Sequence, residues 1–148
     1  MILYLDTSAL VKRYFQEPYS DDVISRWKSA TQIVTSFVAY AETMASMYRK
    51  KREAGLADKL ISKTVDAFQK DWQSFIRVEV NDALNGYIDQ VVEKYPVKGF
   101  DAIHLASAMV IHERFPEDFL FACFDDRLVR AAKSEGIETF PPIHSWRS

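Results

Sequence analysis

Short runs of β-branched and aromatic residues alternate along this chain with longer segments of helical periodicity. Such alternation is typical of βαβ units, in which parallel strands are joined by helices. A chain of 148 residues corresponds to one domain, and its 48% apolar residues are enough for a single core. We therefore expect an α/β fold with a central parallel sheet, formed as a single domain over residues 1–148.

The predicted strands are short, and each is followed by a helical pattern or a turn. The candidates, the fifth of them marginal, are Ile2 to Leu5, Gln32 to Thr35, Phe75 to Val80, Phe119 to Cys123 and Ile137 to Phe140. Helices are predicted between capping residues and helix breakers. They run from Thr7 or Ser8 to about Phe15, from Ser20 or Asp21 to Ala30, from Ser36 through Arg52, from Leu56 to Trp72, from Asn81 until Pro96, after Gly99, and from Asp126 to Gly136.

Two of these helices have apolar stripes at the helical period. In the later one the stripe comprises Leu56, Ala57, Leu60, Ile61, Thr64, Val65, Phe68 and Trp72. In the longest one it comprises Phe37, Ala41, Met44 and Tyr48. Glu42 lies on the border of this second stripe, where a charged side chain is costly to bury without a partner. Either Glu42 extends to solvent and pairs with Arg49, or it is a ligand in a cavity.

Three further acidic residues occur at strand-to-helix turns or helix starts: Asp6, Asp101 and Asp125. In a parallel sheet these points gather along one edge, the carboxyl ends of the strands. Carboxylates crowded there repel one another, so their collection in one crevice implies a bound cation. Ligands that are all oxygen suit a hard ion such as Mg²⁺ or Mn²⁺.

Each of these acids also has a purely structural explanation. Asp6 is a potential cap of the first helix, although Thr7 and Ser8 offer caps as well. Asp101 has the favourable place of an acid in a first helical turn, and Asp125 competes with Asp126 for the cap of the last helix. Their convergence with Glu42 nevertheless favours a metal site over four separate structural roles.

The formal net charge of −2 gives no global basic field, so attraction of a nucleic acid would have to be local. Arg49 begins a cationic run over residues 49–52 and shares a helix face with Glu42, which makes it our candidate for a phosphate contact. Lys12 and Arg13 are the second choice. The alternative is that these charges solvate a helix end. Two hydroxyl residues directly follow Asp6 in the sequence. These residues, Thr7 and Ser8, are further candidates for substrate binding.

The remaining residues with potential chemistry point elsewhere. His104, His112 and His144 are poor metal candidates, and for His104 we favour packing or orienting over acid–base work. Cys123 is the lone cysteine, which excludes an internal disulfide, and it reads as a small buried apolar residue. The aromatic residues are expected mainly in the core: Tyr14, Phe15, Tyr19, Trp27, Tyr40 and Tyr48.

Other classes of protein lack the residues that they need. The four glycines, at 55, 86, 99 and 136, form neither a Walker-type loop nor a GxGxxG turn. A haloacid-dehalogenase-type hydrolase would need an acid where Ser8 stands, and the paired early acids and late lysine of a receiver domain are missing. The sequence shows no leader pattern and no 18-residue apolar run, so we expect a cytoplasmic protein with no membrane partner.

Four segments in this order resemble the PIN domain, most closely the VapC-type toxins of toxin–antitoxin pairs. They are LDTSAL at 5–10, AE at 41–42, DAIHLASA at 101–108 and FDDRL at 124–128. The resemblance covers essentially the whole chain, and its specificity comes from the set of motifs. One departure is Cys123, which stands where many members carry Ser or Thr, and it replaces a hydroxyl donor with a weak one.

The resemblance implies a three-layer α/β/α sandwich with a central parallel sheet of four to five strands. It also implies a Mg²⁺- or Mn²⁺-dependent endoribonuclease that forms a homodimer and is inhibited by a small VapB-like antitoxin. By position Asp6, Glu42, Asp101 and Asp125 match the family's acidic quartet. We expect Asp6, Asp101 and Asp125 to hold the ion and Glu42 to orient a coordinated water or hold a second ion. The alternative is a catalytically silent PIN module that acts as a binding or regulatory protein.

Overall fold

The computed structural model describes residues 1–142, and within them five strands form one parallel sheet in the order β3-β2-β1-β4-β5. The strands are β1 (Ile2–Leu5), β2 (Gln32–Ser36), β3 (Ile76–Val78), β4 (Phe119–Ala122) and β5 (Thr139–Phe140). All five predicted strands are present; the third, fourth and fifth are shorter than predicted, and the second is one residue longer. His144 lies outside the described residues, and the extent of one domain over residues 1–148 stays a prediction.

Seven α-helices connect these strands in the described part of the chain. They are α1 (Thr7–Leu10), α2 (Ser20–Ser29), α3 (Val38–Ala54), α4 (Asp58–Trp72), α5 (Asp82–Lys94), α6 (Gly99–Arg114) and α7 (Asp126–Ser134). A 3-10 turn, Val11–Arg13, extends α1. Asn81 caps α5 as predicted, since its side chain accepts a hydrogen bond from the Leu84 amide.

Alternation along the central strands divides the core into two layers. Tyr4 and Phe121 point to one face of the sheet, where α5, α6 and α7 pack, whereas Leu3 and Leu120 point to the other, where α1 to α4 pack. Successive side chains of a strand face opposite sides, so β1 and β4 contribute to both cores. The predicted α/β/α sandwich with a parallel sheet is therefore confirmed.

The predicted phase of α3 is wrong. Its buried residues are Ala39, Thr43, Ser46 and Met47. Two members of the predicted stripe are largely exposed, Phe37 at 43% and Tyr48 at 40%. Three of these four buried side chains are small, and Tyr40 on the same helix packs against Phe68 and Trp72. The Phe37 ring still contacts an edge of Trp72 and the guanidinium of Arg77.

The predicted caps of the first helix also need correction. Asp6, rather than Thr7 or Ser8, caps α1, because its side chain accepts a hydrogen bond from the Ala9 amide. The structural explanation for Asp6 is thus correct, and its side chain is at the same time almost fully buried, at 4% exposure. Among residues 1–142, no helix is both long and apolar enough to cross a lipid bilayer.

The α4 stripe offers a test of which apolar residues stabilise the fold. Phe68 is fully buried, whereas Leu60, a member of the same predicted stripe, is 51% exposed. We expect Phe68→Ala to lower the free energy of unfolding by about 3–5 kcal/mol, because it leaves a cavity among Tyr14, Tyr40 and Trp72. Leu60→Ala should change it by less than about 0.5 kcal/mol. Urea titrations of both variants measure the difference, and similar losses would contradict the assignment of the core.

Candidate active site

Two predicted acids lie together because β1 and β4 end side by side. Leu5 pairs with Ala122 at the carboxyl end of the two strands, and the Asp6 amide donates to the Ala122 carbonyl at 3.2 Å. Ser8 links the two strand ends, since its hydroxyl donates to Asp6 Oδ1 at 2.7 Å and accepts from the Phe124 amide at 2.9 Å. This hydroxyl therefore holds Asp6 next to the turn that carries Asp125.

Asp6 is held at the base of this edge by its own helix. Its Oδ1 accepts hydrogen bonds from both the Ser8 hydroxyl and the Ala9 amide. Burial raises the pKa of Asp6 above its ordinary value, against the opposing effects of His104, Ser8 and the Ala9 amide. The Asp6 side chain can thus cap α1 and also belong to the acidic group.

Glu42 does not pair with Arg49, which corrects one of the two explanations offered for it. Its Oε1 accepts hydrogen bonds from Thr7 Oγ1 and from His104 Nε2, both at 2.7 Å. Burial raises the pKa of Glu42, but these two hydrogen bonds outweigh it, so its pKa is lowered. The half-buried carboxylate is therefore kept ionised.

His104 orients Glu42 from the interior of the protein. The imidazole is buried, with Nδ1 at 2.8 Å from the Tyr4 hydroxyl. Burial raises the pKa of Tyr4 well above its ordinary value, so Tyr4 remains a phenol and can donate to Nδ1. Nε2 lies 2.7 Å from Glu42 Oε1, so an N–H group at this nitrogen donates a hydrogen bond to the carboxylate. This geometry agrees with the orienting role predicted for His104.

Asp101 and Asp125 line a second depression of about 400 Å³. Asp125 caps α7 by accepting from the Leu128 amide at 3.0 Å, which settles its competition with Asp126. Burial raises the pKa of Asp101, and the charges of Asp125, Asp6 and Glu42 raise it further. Asp101 is thus the acid on which the charges of the other three act.

Cys123 takes part in the turn that carries Asp125. The Asp125 amide donates to Cys123 Sγ at 3.3 Å, and the side chain is buried as predicted. The sulfur therefore takes a hydrogen bond where many PIN domains carry a hydroxyl. Burial raises the pKa of the thiol well above its ordinary value, which keeps it protonated and argues against a nucleophile.

The donor set fits a hard divalent cation by its chemistry. All four acids offer oxygen ligands, and a cation would relieve the repulsion that raises the pKa of Asp101. Within residues 1–142, however, no three His, Cys, Asp or Glu side chains are grouped closely enough to hold a metal ion as they stand. The acids therefore influence the pKa of Asp101 in this structure, but they do not form a ready-made set of metal ligands.

The cationic candidates separate in the structure. Arg49 and Lys12 line the same cavity as Glu42, Thr7 and Ser8, which has a volume of about 600 Å³. Arg13, by contrast, lies over the Trp27 ring and 3.9 Å from an oxygen of Asp71. Arg13 therefore does not line this cavity, and a phosphate contact at Arg13 stays a prediction.

Two residues of this cavity that pair with each other were not singled out from the sequence. Glu17 and Lys50 also line it. Lys50 was visible only as part of the cationic run after Arg49. Glu17 follows the 3-10 turn in an irregular segment, so no periodicity relates it to the residues that it contacts. Tyr4 was missed too, because it reads as one more apolar residue of β1.

Comparison with known proteins decides the family. A model of the PIN domain matches residues 3–134. The chain belongs to the PIN domain family. Ribonuclease VapC46 of Mycobacterium tuberculosis (strain ATCC 25618 / H37Rv) is 30% identical to this PIN domain over 141 residues, covering 95% of this chain and 97% of the relative.

Solved structures show the same fold at low sequence identity. VapBC-1 from nontypeable Haemophilus influenzae has a TM-score of 0.64 at 13% identity, covering 94% of this chain and 96% of the other. A toxin–antitoxin complex from Klebsiella pneumoniae has a TM-score of 0.60 at 14% identity, covering 84% and 88%. The family model and the VapC46 relative confirm the resemblance drawn from the four motifs, and the solved structures confirm its fold.

The charge of Asp101 should destabilise this PIN domain when no divalent ion is bound. Its pKa is raised on folding, so the folded state holds its proton to higher pH and loses stability as the pH rises through that range. In chelator at pH 7, Asp101→Asn should melt at a higher temperature than the wild type. The gain should shrink as the pH falls toward the ordinary pKa of an aspartate.

Asp82→Asn is the matched control, because Asp82 lies in the first turn of α5 as Asp101 does in α6. A first-turn acid favours its helix, so this change should leave the melting temperature equal or lower. Thermal melts from pH 4 to pH 8 make the comparison. If both variants behave alike, Asp101 is an ordinary helix-start acid.

Proposed function

We propose that this PIN domain is a Mg²⁺- or Mn²⁺-dependent endoribonuclease and the toxin of a VapBC-type pair. The observation that carries the proposal is that β1 and β4 end side by side, which places Asp6 next to the turn of Asp125, and the charges of Asp125, Asp6 and Glu42 add to burial in raising the pKa of Asp101. Mutual repulsion of this kind is what a metal-dependent phosphodiesterase must accept to keep its ligands together. The similarity to ribonuclease VapC46 supports the choice of RNA as substrate.

Asp6, Asp101 and Asp125 would hold the ion. Such an ion lowers the pKa of a bound water and neutralises charge on the phosphate. Asp6 is oriented for this by Ser8 and the Ala9 amide, which both donate to its Oδ1. Attack by water in line with the leaving oxygen would give a 5′-phosphate and a 3′-hydroxyl.

Glu42 would position the attacking water. Thr7 and His104 both bond its Oε1, and Oε2 has no hydrogen bond to a described residue. The carboxylate is thus fixed by one oxygen and can accept a hydrogen bond from water with the other. Thr7 would therefore act on the substrate indirectly, by orienting Glu42. Thr7 and Ser8 also line the cavity that an RNA strand would enter.

Arg49 would contact a phosphate of that strand. It lines the same cavity, and it makes no ion pair with any residue between 1 and 142. A free guanidinium can bind phosphate oxygens without first giving up a protein partner.

The partners follow from the same relationship. We propose a small VapB-like antitoxin as the inhibitor, a homodimer as the assembly and the cytoplasm as the location. The Klebsiella pneumoniae toxin–antitoxin complex, which has the same fold, supports the first of these.

The alternative function is a catalytically silent PIN module that binds or regulates a partner. It is favoured by the absence of any preformed group of three metal-ligating side chains among the described residues. Mn²⁺ separates the two functions, because a cation that binds the folded state raises its melting temperature by mass action. A melting temperature that does not respond to Mn²⁺ would favour the silent module.

Cleavage should require both the metal and the acids. We expect the wild type to cut single-stranded or loop RNA with Mg²⁺ or Mn²⁺ and to stop in excess chelator. Asp6→Asn and Asp101→Asn should lose at least about a hundredfold in rate, which is the usual scale for an electrostatic catalytic group. Asp82→Asn is the control and should keep full activity. Cleavage in chelator, or full activity of both site variants, would refute the mechanism.

Binding of RNA should depend on Arg49. Arg49→Glu should weaken RNA binding and reduce the slope of log affinity against log salt by about 0.7 for the lost phosphate contact. Arg52→Glu makes the same change of charge on α3 outside the cavity and should have a smaller effect. Equal slopes in the wild type and both variants would return Arg49 to the role of a solvated helix-end charge.

A further inference from the structure

The cavity beside Glu42 contains a carboxylate clamped between two lysines. Glu17 Oε1 lies 3.3 Å from Lys12 Nζ, and Glu17 Oε2 pairs with Lys50 Nζ. Each carboxylate oxygen thus has its own ammonium group. All three side chains line the cavity that also contains Thr7 and Glu42.

The two lysines are held in place independently of Glu17. Lys12 Nζ lies 4.5 Å above the Phe124 ring, and Lys50 Nζ lies 5.3 Å from the centre of the Phe15 ring. The Lys12 side chain is only 11% exposed, so its charge is poorly screened by water. The pair therefore presents two fixed cations to any anion in the cavity.

Hydrogen bonds of the surrounding backbone turn also position Glu17 between the two lysines. The Glu17 amide donates to Ser20 Oγ at 2.9 Å, and that hydroxyl donates to the Phe15 carbonyl at 3.0 Å. Tyr19 closes the turn with a left-handed φ of 72°. The turn should therefore keep its shape when Glu17 loses its charge.

We propose that Lys12 and Lys50 form a subsite for one phosphodiester of single-stranded RNA, and that Glu17 occupies it in the free protein as an intramolecular competitor. The proposal rests on the nuclease function given above for the same cavity. A phosphodiester shares one negative charge between its two non-bridging oxygens, and a carboxylate likewise shares one negative charge between its two oxygens. It can therefore give one oxygen to each ammonium, in the same way as Glu17.

The position of the subsite relates it to the acids. Phe124, which carries Lys12 on its ring, directly precedes Asp125, and Glu42 lines the same cavity. A phosphate held by the lysines would belong to a nucleotide near the one at the carboxylates. Glu17 would then have to turn away for a strand to lie along the cavity, so that it lowers affinity for RNA.

The test measures binding of a fluorescein-labelled single-stranded RNA in the Asp101→Asn background, which prevents cleavage. Glu17→Gln should tighten binding by about three- to tenfold, the equivalent of one to two partly exposed ion pairs no longer in competition. Glu53→Gln is the matched control, because it removes the same charge from the same cavity at a residue without an ion pair to the described residues. It should change affinity by less than about twofold.

A second background separates competition from general repulsion of RNA. When Lys12 and Lys50 are both changed to Gln, Glu17→Gln should bring no gain, because the subsite is gone. A gain that persists there, or one equalled by Glu53→Gln, would overturn the proposal. If Glu17→Gln has a lower melting temperature than its parent, binding by the Lys50→Gln variant is the test instead. Lys50→Gln should weaken RNA binding by about three- to tenfold, and unchanged binding would overturn the proposal.

Failure of the subsite and failure of the nuclease are distinguishable. RNA that is bound with the expected gain but never cut by the wild type with Mn²⁺ would support the subsite and refute the proposed function. RNA that is cut normally, with Glu17→Gln and Glu53→Gln alike in binding, would refute the subsite alone. A wild type that does not bind RNA at all would refute both.

Discussion

The buried imidazole of His104 connects the elements that carry the acids. Its Nδ1 lies 2.8 Å from the Tyr4 hydroxyl on β1 and its Nε2 lies 2.7 Å from Glu42 Oε1 on α3, while the residue itself belongs to α6. Asp101 lies one turn earlier on the same helix, so fixing His104 also fixes Asp101 relative to Asp6 at the end of β1. Burial raises the pKa of Tyr4 well above its ordinary value, so its phenol stays protonated beside the ring. One ring therefore joins β1, α3 and α6, the elements at which Asp6, Glu42 and Asp101 stand.

The acids oppose the fold that holds them. Folding raises the pKa of both Asp6 and Asp101, and in each case burial is the largest cause. Local rules of stability are typically broken at functional sites and compensated elsewhere. Here the compensation comes from two apolar cores, one on each face of the sheet, to which β1 and β4 both contribute.

Strand ends could be predicted from the sequence, whereas contacts across the fold could not. Asp6 and Asp125 follow strands that are easily recognised in the sequence. Once the sheet is taken to be parallel, both residues are expected at the same edge of it. The partner of Glu42 was missed because His104 is 62 residues away and the phase of α3 is set by packing of small residues. Glu17 was missed for a related reason, since an irregular turn places it between its lysines.

The two edges of the sheet bear on how this molecule behaves at high concentration. The edge strands are the shortest ones, with three residues in β3 and two in β5. A long exposed edge invites strand addition by another chain, and a short one offers too few backbone groups for it. The same brevity that makes these strands hard to delimit in the sequence should thus protect the protein from amyloid-like association.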